Sequence, residues 1–343
     1  MINIDGAAME GGGSIVRLAC ALAAITFEPV TVANIRAGRP KPGLRQQHLE
    51  GLKALAGLSG GRLEGAHEGS ERVVFSPGSS GKADIEVQIS TAGSVGLVFQ
   101  TLAPLALVLD KPARVAVKGG ATFGKYAPPL TYTKDAFLPL LKQMGYAAKI
   151  EIVRHGFYPV GGAEAAITLE PTSSLRPLIR TEFAAESVKV VSVSSAALQA
   201  RKVAERQAAA AEEALAKLGK HVDKETVYQQ TACPGSGIVA LAHGSSSVIG
   251  ADVIGELRKT AEEVGWQAGA QLVGTVGSGA AVDEHMADQL LLFMAMAPGK
   301  SEITVPAITS HARTNMWLIE KMTEARFSCI DGRPARIICQ GRG

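Results

Sequence analysis

The chain has 343 residues, 46% of them hydrophobic and 20% charged, with a formal net charge of +3; this is a globular balance too long for one ordinary core, so two or three packed units are expected and disorder is excluded. The longest apolar runs, such as 102–109, fall far short of a membrane span, and no basic patch followed by an apolar stretch opens the sequence, which sets aside membrane insertion and a signal peptide. Cys20, Cys233, Cys329 and Cys339 form no CxxC and no cluster with histidine, which argues against a zinc site and for a reducing cytoplasm.

In chain order, Met1–Gly6 reads as a strand, and Glu10-Gly11-Gly12-Gly13 joins it to an apolar helix predicted over Gly13–Ile25. Three glycines let backbone N–H groups approach an anion, and the helix N-terminus favours negative charge. Glu10 there binds a metal or positions a hydroxyl, or it is simply a solvated residue of a Gly-rich turn. A β-branched strand over Pro29–Ile35 leads into a stretch, 34–49, that holds Arg36, Arg39, Lys41, Arg45 and His48 and no carboxylate. Gly38, Pro40, Pro42 and Gly43 constrain this loop, which suits phosphate binding; the alternative is a solvated basic face. An amphipathic helix over Gln46–Leu58 follows.

The pattern returns with a helix over Ser94–Leu107, a strand over Pro112–Lys118, a helix over Lys134–Met144 and strands over Ala148–Ile152 and Glu164–Leu169. Between strand and helix, 119–125 matches most of a P-loop, but Tyr126 replaces the Ser or Thr that binds magnesium and Pro128-Pro129 cannot enter the required helix. The segment instead presents Tyr126 and Pro128 to a flat ligand such as adenine. A third copy has a helix over Met286–Met296, a strand over Lys300–Pro306, a helix over Thr314–Met322 and strands over Ala325–Ile330 and Ala335–Cys339.

Three strand–helix–strand–helix–strand–strand units result. The wide gap before the third is explained by an inserted small α/β domain, with a strand over Ser187–Val193, a helix over Gln199–Leu218, a hairpin of Thr226–Gln230 with Gly237–Ala242, and a helix over Asp252–Val264. The fold class is therefore α/β (α+β repeats): a large domain of three βαβαββ repeats, 1–177 and 272–343, with residues 178–271 inserted before the third repeat. His67, His221 and His243 read as surface residues. His311 follows the third unit's middle strand, in a loop equivalent to the Arg36–Arg39 loop and to 119–129. A nucleophilic imidazole among arginines that neutralise phosphate is what nucleotidyl transfer requires.

Several stretches together resemble the RNA 3′-terminal phosphate cyclase family, in its catalytic branch, over essentially the whole chain. They are Asp5-Gly6 with Glu10–Gly13, the run from Asn34 to His48, Thr91–Ser94 with Gln100-Thr101, Ala127-Pro128-Pro129, Arg154–Pro159, Ala287–Leu290 and His311–Asn315. The resemblance implies three repeats plus an inserted domain. It also implies a soluble cytoplasmic ligase that turns an RNA 3′-phosphate into a 2′,3′-cyclic phosphodiester with ATP. His311 would become adenylylated and pass AMP to the RNA end as an RNA(3′)pp(5′)A intermediate. Carried across, Glu10 would bind magnesium or manganese, and Arg17, Arg36, Arg39, Gln47 and His48 would handle phosphates and the RNA end. Gln100, Pro128, His285, Met286, Ala287, Asp288 and Gln289 would surround ATP.

Met9 and Ser14 stand where the family usually has Gly and Gln, Ala163 interrupts a glycine run, and His285 stands where bacterial members place an aromatic on adenine. The implied partners are ATP and RNA with a 3′-phosphate, with no membrane; a homo-oligomer is left open. The rival readings are a non-catalytic relative acting in ribosome assembly, which would lack the nucleophile, an enolpyruvyl transferase, which needs about twice as many repeats, and an RNA-binding module without catalysis.

Overall fold

The three units are visible as three sheets with one pairing scheme in a computed structural model, which describes residues 1–79 and 81–342. The first contains β1 (Ile2–Asp5), α1 (Gly13–Thr26), β2 (Val30–Ala33), α2 (Gln46–Ser59), β3 (Arg62–Glu64) and β4 (Val73–Ser76), in sheet order β1-β2-β4-β3. The second has β5 (Asp84–Ser94), α3 (Val95–Leu102), β6 (Ala113–Ala121), α4 (Leu130–Tyr132), α5 (Leu138–Gln143), β7 (Ala148–Arg154) and β8 (Glu164–Leu169), in order β5-β6-β8-β7. In both, the first two strands are parallel across a helix and the last two are antiparallel. A π-helical turn, Thr133–Phe137, separates α4 from α5. Pro139 explains it, because its ring lacks an N–H and clashes with the carbonyl four residues back.

The third sheet begins earlier than the sequence suggests. A two-residue strand, β9 (Ile179–Arg180), pairs parallel with a strand beyond the insertion. The inserted elements are β10 (Ser187–Ser195), α6 (Val203–Leu215), β11 (Val222–Gln229), β12 (Ser236–His243), β13 (Val248–Ile254) and α7 (Ala261–Gly277). Unit three then resumes with α8 (Glu284–Met296), β14 (Gly299–Val305), α9 (Ser310–Met322), β15 (Arg326–Ile330) and β16 (Ala335–Gly341), in order β9-β14-β16-β15. The insertion thus sits directly after the third unit's first strand, and the expected limit at 271 falls inside α7.

Two expectations inside the insertion need correction. The segments around Thr226–Gln230 and Gly237–Ala242 form no hairpin: β10 lies between β11 and β12, parallel to one and antiparallel to the other. Asp252–Val264 is not one helix. Its start belongs to β13, and α7 begins only after Thr260, whose hydroxyl accepts from the Glu263 N–H at 3.1 Å while Glu263 Oε2 accepts from the Thr260 N–H at 2.6 Å. This capping box satisfies orphan amides that no earlier start offers.

Strands β10, β12 and β13 of the insert's sheet are buried on both faces, whereas the edge strand β11 is largely exposed. Val188, Val190, Ile238, Ala240 and Ile249 pack on α6 and α7, whereas the alternate residues Val191, Val193, Val239 and Leu241 join the core of the three repeats. Helix α1 is buried almost throughout, and Ala19, Cys20, Ala21, Ala23 and Ala24 let α2, α3 and α9 approach it closely. Asp283, the N-cap of α8, accepts from the Met286 N–H (2.9 Å), the Tyr132 hydroxyl (2.6 Å) and the Gly250 N–H (2.9 Å). One buried carboxylate therefore joins unit two, the insert and unit three. Among the described residues no helix is long and apolar enough to cross a membrane.

Candidate active site

Two clefts share one wall. The first, about 660 Å³, lies between the repeats and the insert, and the second, about 840 Å³, lies over the 36–48 loop. Glu10, Ser14, Arg17, Leu97, Tyr126 and His311 line both.

His311 is not in a loop, as the sequence suggests, but is the second residue of α9. Thr309 caps that helix by accepting from the Ala312 N–H at 2.9 Å, and its hydroxyl donates to Asp288 Oδ1 at 3.1 Å. The imidazole therefore stands on the positive end of a rigid helix, where anions are favoured. Its Nδ1 lies 3.1 Å from Glu10 Oε2. A carboxylate only accepts, so Nδ1 carries the proton and Nε2 keeps a free lone pair. Burial lowers the His311 pKa, against the pull of Glu10, and so favours the neutral ring.

Glu10 is held from three sides. Its Oε1 accepts from Arg39 Nη2 at 3.0 Å, its carbonyl from the same nitrogen at 3.4 Å, and its N–H donates to Thr314 Oγ1 at 3.3 Å. Among the described residues no three His, Cys, Asp or Glu side chains are grouped to hold a metal. Glu10 could thus be one ligand of a magnesium-like ion completed by phosphate oxygens and water, the usual habit of that ion.

Arg17, on α1, is 9% exposed between the two clefts; it has no hydrogen-bond or ion-pair partner among the described residues, and burial lowers its pKa to about 10. A buried guanidinium without a counter-charge calls for an anion. Arg36 donates to the Lys41 and Gly43 carbonyls at 2.7 and 2.8 Å, so part of its fork shapes its own loop. Gln47 Oε1 accepts from the Ser94 N–H at 3.1 Å, and the residue lines the basic cleft. His48 is a neutral strut: burial, then Arg17, Arg36 and Arg45, depress it to about 3, and its Nδ1 accepts from the Arg45 N–H at 3.1 Å. A Cβ at Gly13 would lie 2.3 Å from His48 Nε2, so the glycine turn requires that glycine.

In the cleft against the insert, Gln100 and Pro128 are lining residues, and so are His285, Asp288 and Gln289, which share one face of α8 at i, i+3 and i+4. The side chains of Met286 and Ala287 point into the core instead. Burial raises the Asp288 carboxyl to about 7, with the Thr309 hydrogen bond opposing. Ser14 Oγ, Asp252 Oδ1, Gln289 Oε1 and Asn315 Oδ1 are buried without a hydrogen-bond partner among the described residues, and all four residues line this cleft. Orphaned polar atoms concentrated in one cavity mark a place built for a polar ligand. Sequence reasoning missed the insert's contribution, namely Asp252, Glu256, Lys259, Gln267 and Gln271. Lys125 ties the 119–129 loop to that domain through Glu256 at 2.9 Å.

A model of the family described as RNA 3′-terminal phosphate cyclase matches residues 8–329. Curated relatives carrying that description include one from Pyrobaculum neutrophilum, 40% identical over 98% of this chain and 97% of its own length. Another, from Pyrococcus abyssi, is 41% identical over 97% and 96% respectively. Among solved structures, the enolpyruvyl transferase NikO from Streptomyces tendae aligns at 10% identity and a TM-score of 0.38 over all of this chain and 48% of that one.

Proposed function

Since the chain belongs to the RNA 3′-terminal phosphate cyclase family, we propose that it is a ligase that uses ATP to convert an RNA 3′-terminal phosphate into a 2′,3′-cyclic phosphodiester by way of an adenylylated His311. The observation that carries this reading is the Glu10–His311 Nδ1 hydrogen bond, which fixes the tautomer with Nε2 unprotonated on the wall common to both clefts.

Nε2 attacks the α-phosphorus of ATP, the bond to the β-phosphate oxygen breaks, and pyrophosphate leaves. The ring becomes cationic while joined to AMP, and Glu10 stabilises the Nδ1–H that it already holds. An oxygen of the RNA 3′-phosphate then displaces His311 from the same phosphorus and forms RNA(3′)pp(5′)A. The vicinal 2′-hydroxyl attacks the 3′-phosphorus, loses its proton to solvent and expels AMP. Arg17 bridges the phosphates of both substrates, and Arg36, Arg39 and Gln47 receive the RNA end. Pro128 and His285 flank adenine, while Gln100, Asp288 and Gln289 line the rest of the nucleotide's place. A magnesium or manganese ion held by Glu10 and the phosphates would neutralise the charge that develops on the departing pyrophosphate.

Incubation with ATP labelled on the α-phosphate tests this. An acid-labile, base-stable protein–AMP adduct is expected, and RNA bearing a 3′-phosphate should discharge it to a cyclic end. An adduct mapping to a lysine, or none at all, overturns the mechanism.

A further inference from the structure

Asp252 has no part in the chemistry above, yet its environment is costly. It lies on β13, an edge strand of the insert's sheet, two residues after Gly250, whose N–H is held by the N-cap of α8. That anchoring brings Asp252 beside the first turn of α8. Burial, with Asp283 adding to it, pushes the Asp252 carboxyl up to about 7, and His285 in that turn opposes the shift. Oδ1 is buried, has no hydrogen-bond partner among the described residues, and its residue lines the same cleft as Pro128 and His285. A buried carboxylate oxygen with nothing to accept from is tolerated where a ligand supplies the donor.

The donors of a nucleotide are few: the ribose hydroxyls and the exocyclic amine of adenine. Other acceptors suit the sugar better. Asp288 is fastened to the cap of His311's helix, and Asn315, one turn beyond His311 on α9, donates its amide to the Asp288 carbonyl at 3.3 Å and leaves Oδ1 bare. Gln289 likewise donates to the His285 carbonyl at 3.1 Å and leaves Oε1 bare. Asp252 instead lines the cleft together with Pro128 and His285, the residues assigned to the base.

We infer that Asp252 is a specificity-determining residue that accepts a hydrogen bond from the 6-amino group of adenine, so that the inserted domain reads the base while the repeats perform the chemistry. Guanine would oppose its O6 to the carboxylate, acceptor against acceptor, and a purine without a 6-substituent would leave the oxygen bare. The inference rests on the adenylylation reading.

The test compares ATP, purine riboside triphosphate (no 6-amino group) and 2′-deoxyATP on the full chain, as wild type, Asp252→Ala and Asp252→Asn. Both equilibrium binding and AMP labelling are followed. The wild type should favour ATP over purine riboside triphosphate about 10- to 100-fold, the range for a charge-assisted hydrogen bond. In Asp252→Ala that preference should fall to about threefold or less, while the preference over 2′-deoxyATP stays. Asp252→Asn, which retains an acceptor oxygen and the side-chain volume, should keep part of it and guards against a folding defect. An unchanged preference in both variants, or a loss directed at the 2′-hydroxyl, overturns the inference. If the wild type takes no label from ATP, the adenylylation reading fails, and the binding preferences still judge Asp252 separately.

Discussion

The two clefts that meet at His311 are opposite in character. The groove over the 36–48 loop is lined by Arg17, Arg36, Arg39, Lys41, Arg45 and Lys125 against two carboxylates, Glu10 and Glu68. The cleft under the insert is lined by Glu10, Asp252, Glu256, Glu284 and Asp288, with Arg17 and Lys259 as its arginine and lysine. In the proposed reaction, a polyanion whose identity lies in its phosphates would be met by cations. A nucleotide whose identity lies in its base and sugar donors would be met by bare acceptors, with Arg17 for its phosphates. His311 lines both clefts, where that proposal has a group pass from one to the other.

The strongest way to break this picture is His311→Ala. It should abolish both AMP labelling and cyclisation, a loss of about a thousandfold or more by analogy with deleted nucleophiles, with an unchanged circular dichroism spectrum. Full labelling of that variant would dissolve the shared wall. Next in size, Glu10→Gln should slow labelling on the order of 100-fold, because an amide that offers its N–H to Nδ1 favours the wrong tautomer. Single-turnover rates at saturating ATP and metal would check it.

Arg36→Ala should separate the clefts. Discharge of AMP to the RNA end should fall about 10- to 100-fold and lose part of its salt dependence, while labelling by ATP stays near normal. Arg39→Ala should depress both steps, because Arg39 also holds Glu10. Equal damage to labelling by the two variants would contradict the division.

The smallest effect is on stability, and its sign differs between the clefts. His48 is depressed to about 3 when folded, so the stability it permits is fully present above about pH 6.5 and is lost as pH falls towards 3. Asp252 is raised to about 7, so its contribution is fully present below about pH 4 and is lost as pH rises through 7. Asp252→Asn should therefore stabilise the free protein at pH 8, by about 1 kcal/mol or more, and change little at pH 4.5. Urea midpoints across this range would check the sign.

The same contrast explains what could be read from the sequence. The basic groove comes largely from one contiguous, carboxylate-free run, so composition alone exposes it. The cleft under the insert draws on α1, α3, the 119–129 loop, β13, α7, α8 and α9, and no window of sequence contains that set. The three repeats were legible because each repeats its hydrophobic period, whereas β9, with two residues, has no period to detect. Thr309, a good N-cap three residues before Ala312, was the available sign that α9 starts ahead of His311. It was outweighed by the apolar spacing, which begins later. Within 285–289, helical geometry rather than adjacency decides which side chains reach the cleft, so Met286 and Ala287 belong to the core. Arg36 and His48 carry the right chemistry for a phosphate loop, but part of one and all of the other are consumed in building it.

The hydrogen bond between Glu10 and His311 joins residues 301 positions apart, and this bears on how the protein is made. On the ribosome, the first repeat, the second and the insert can all emerge before the histidine that completes the pair. Folding must then close a very long loop, although closure entropy rises only logarithmically with length, by about 0.6 kcal/mol per doubling. The delay is kinetic rather than thermodynamic, since non-local contacts form slowly. The 36–48 loop and Glu10 are therefore made long before His311, and the pair that spans both clefts is among the last contacts the chain can form.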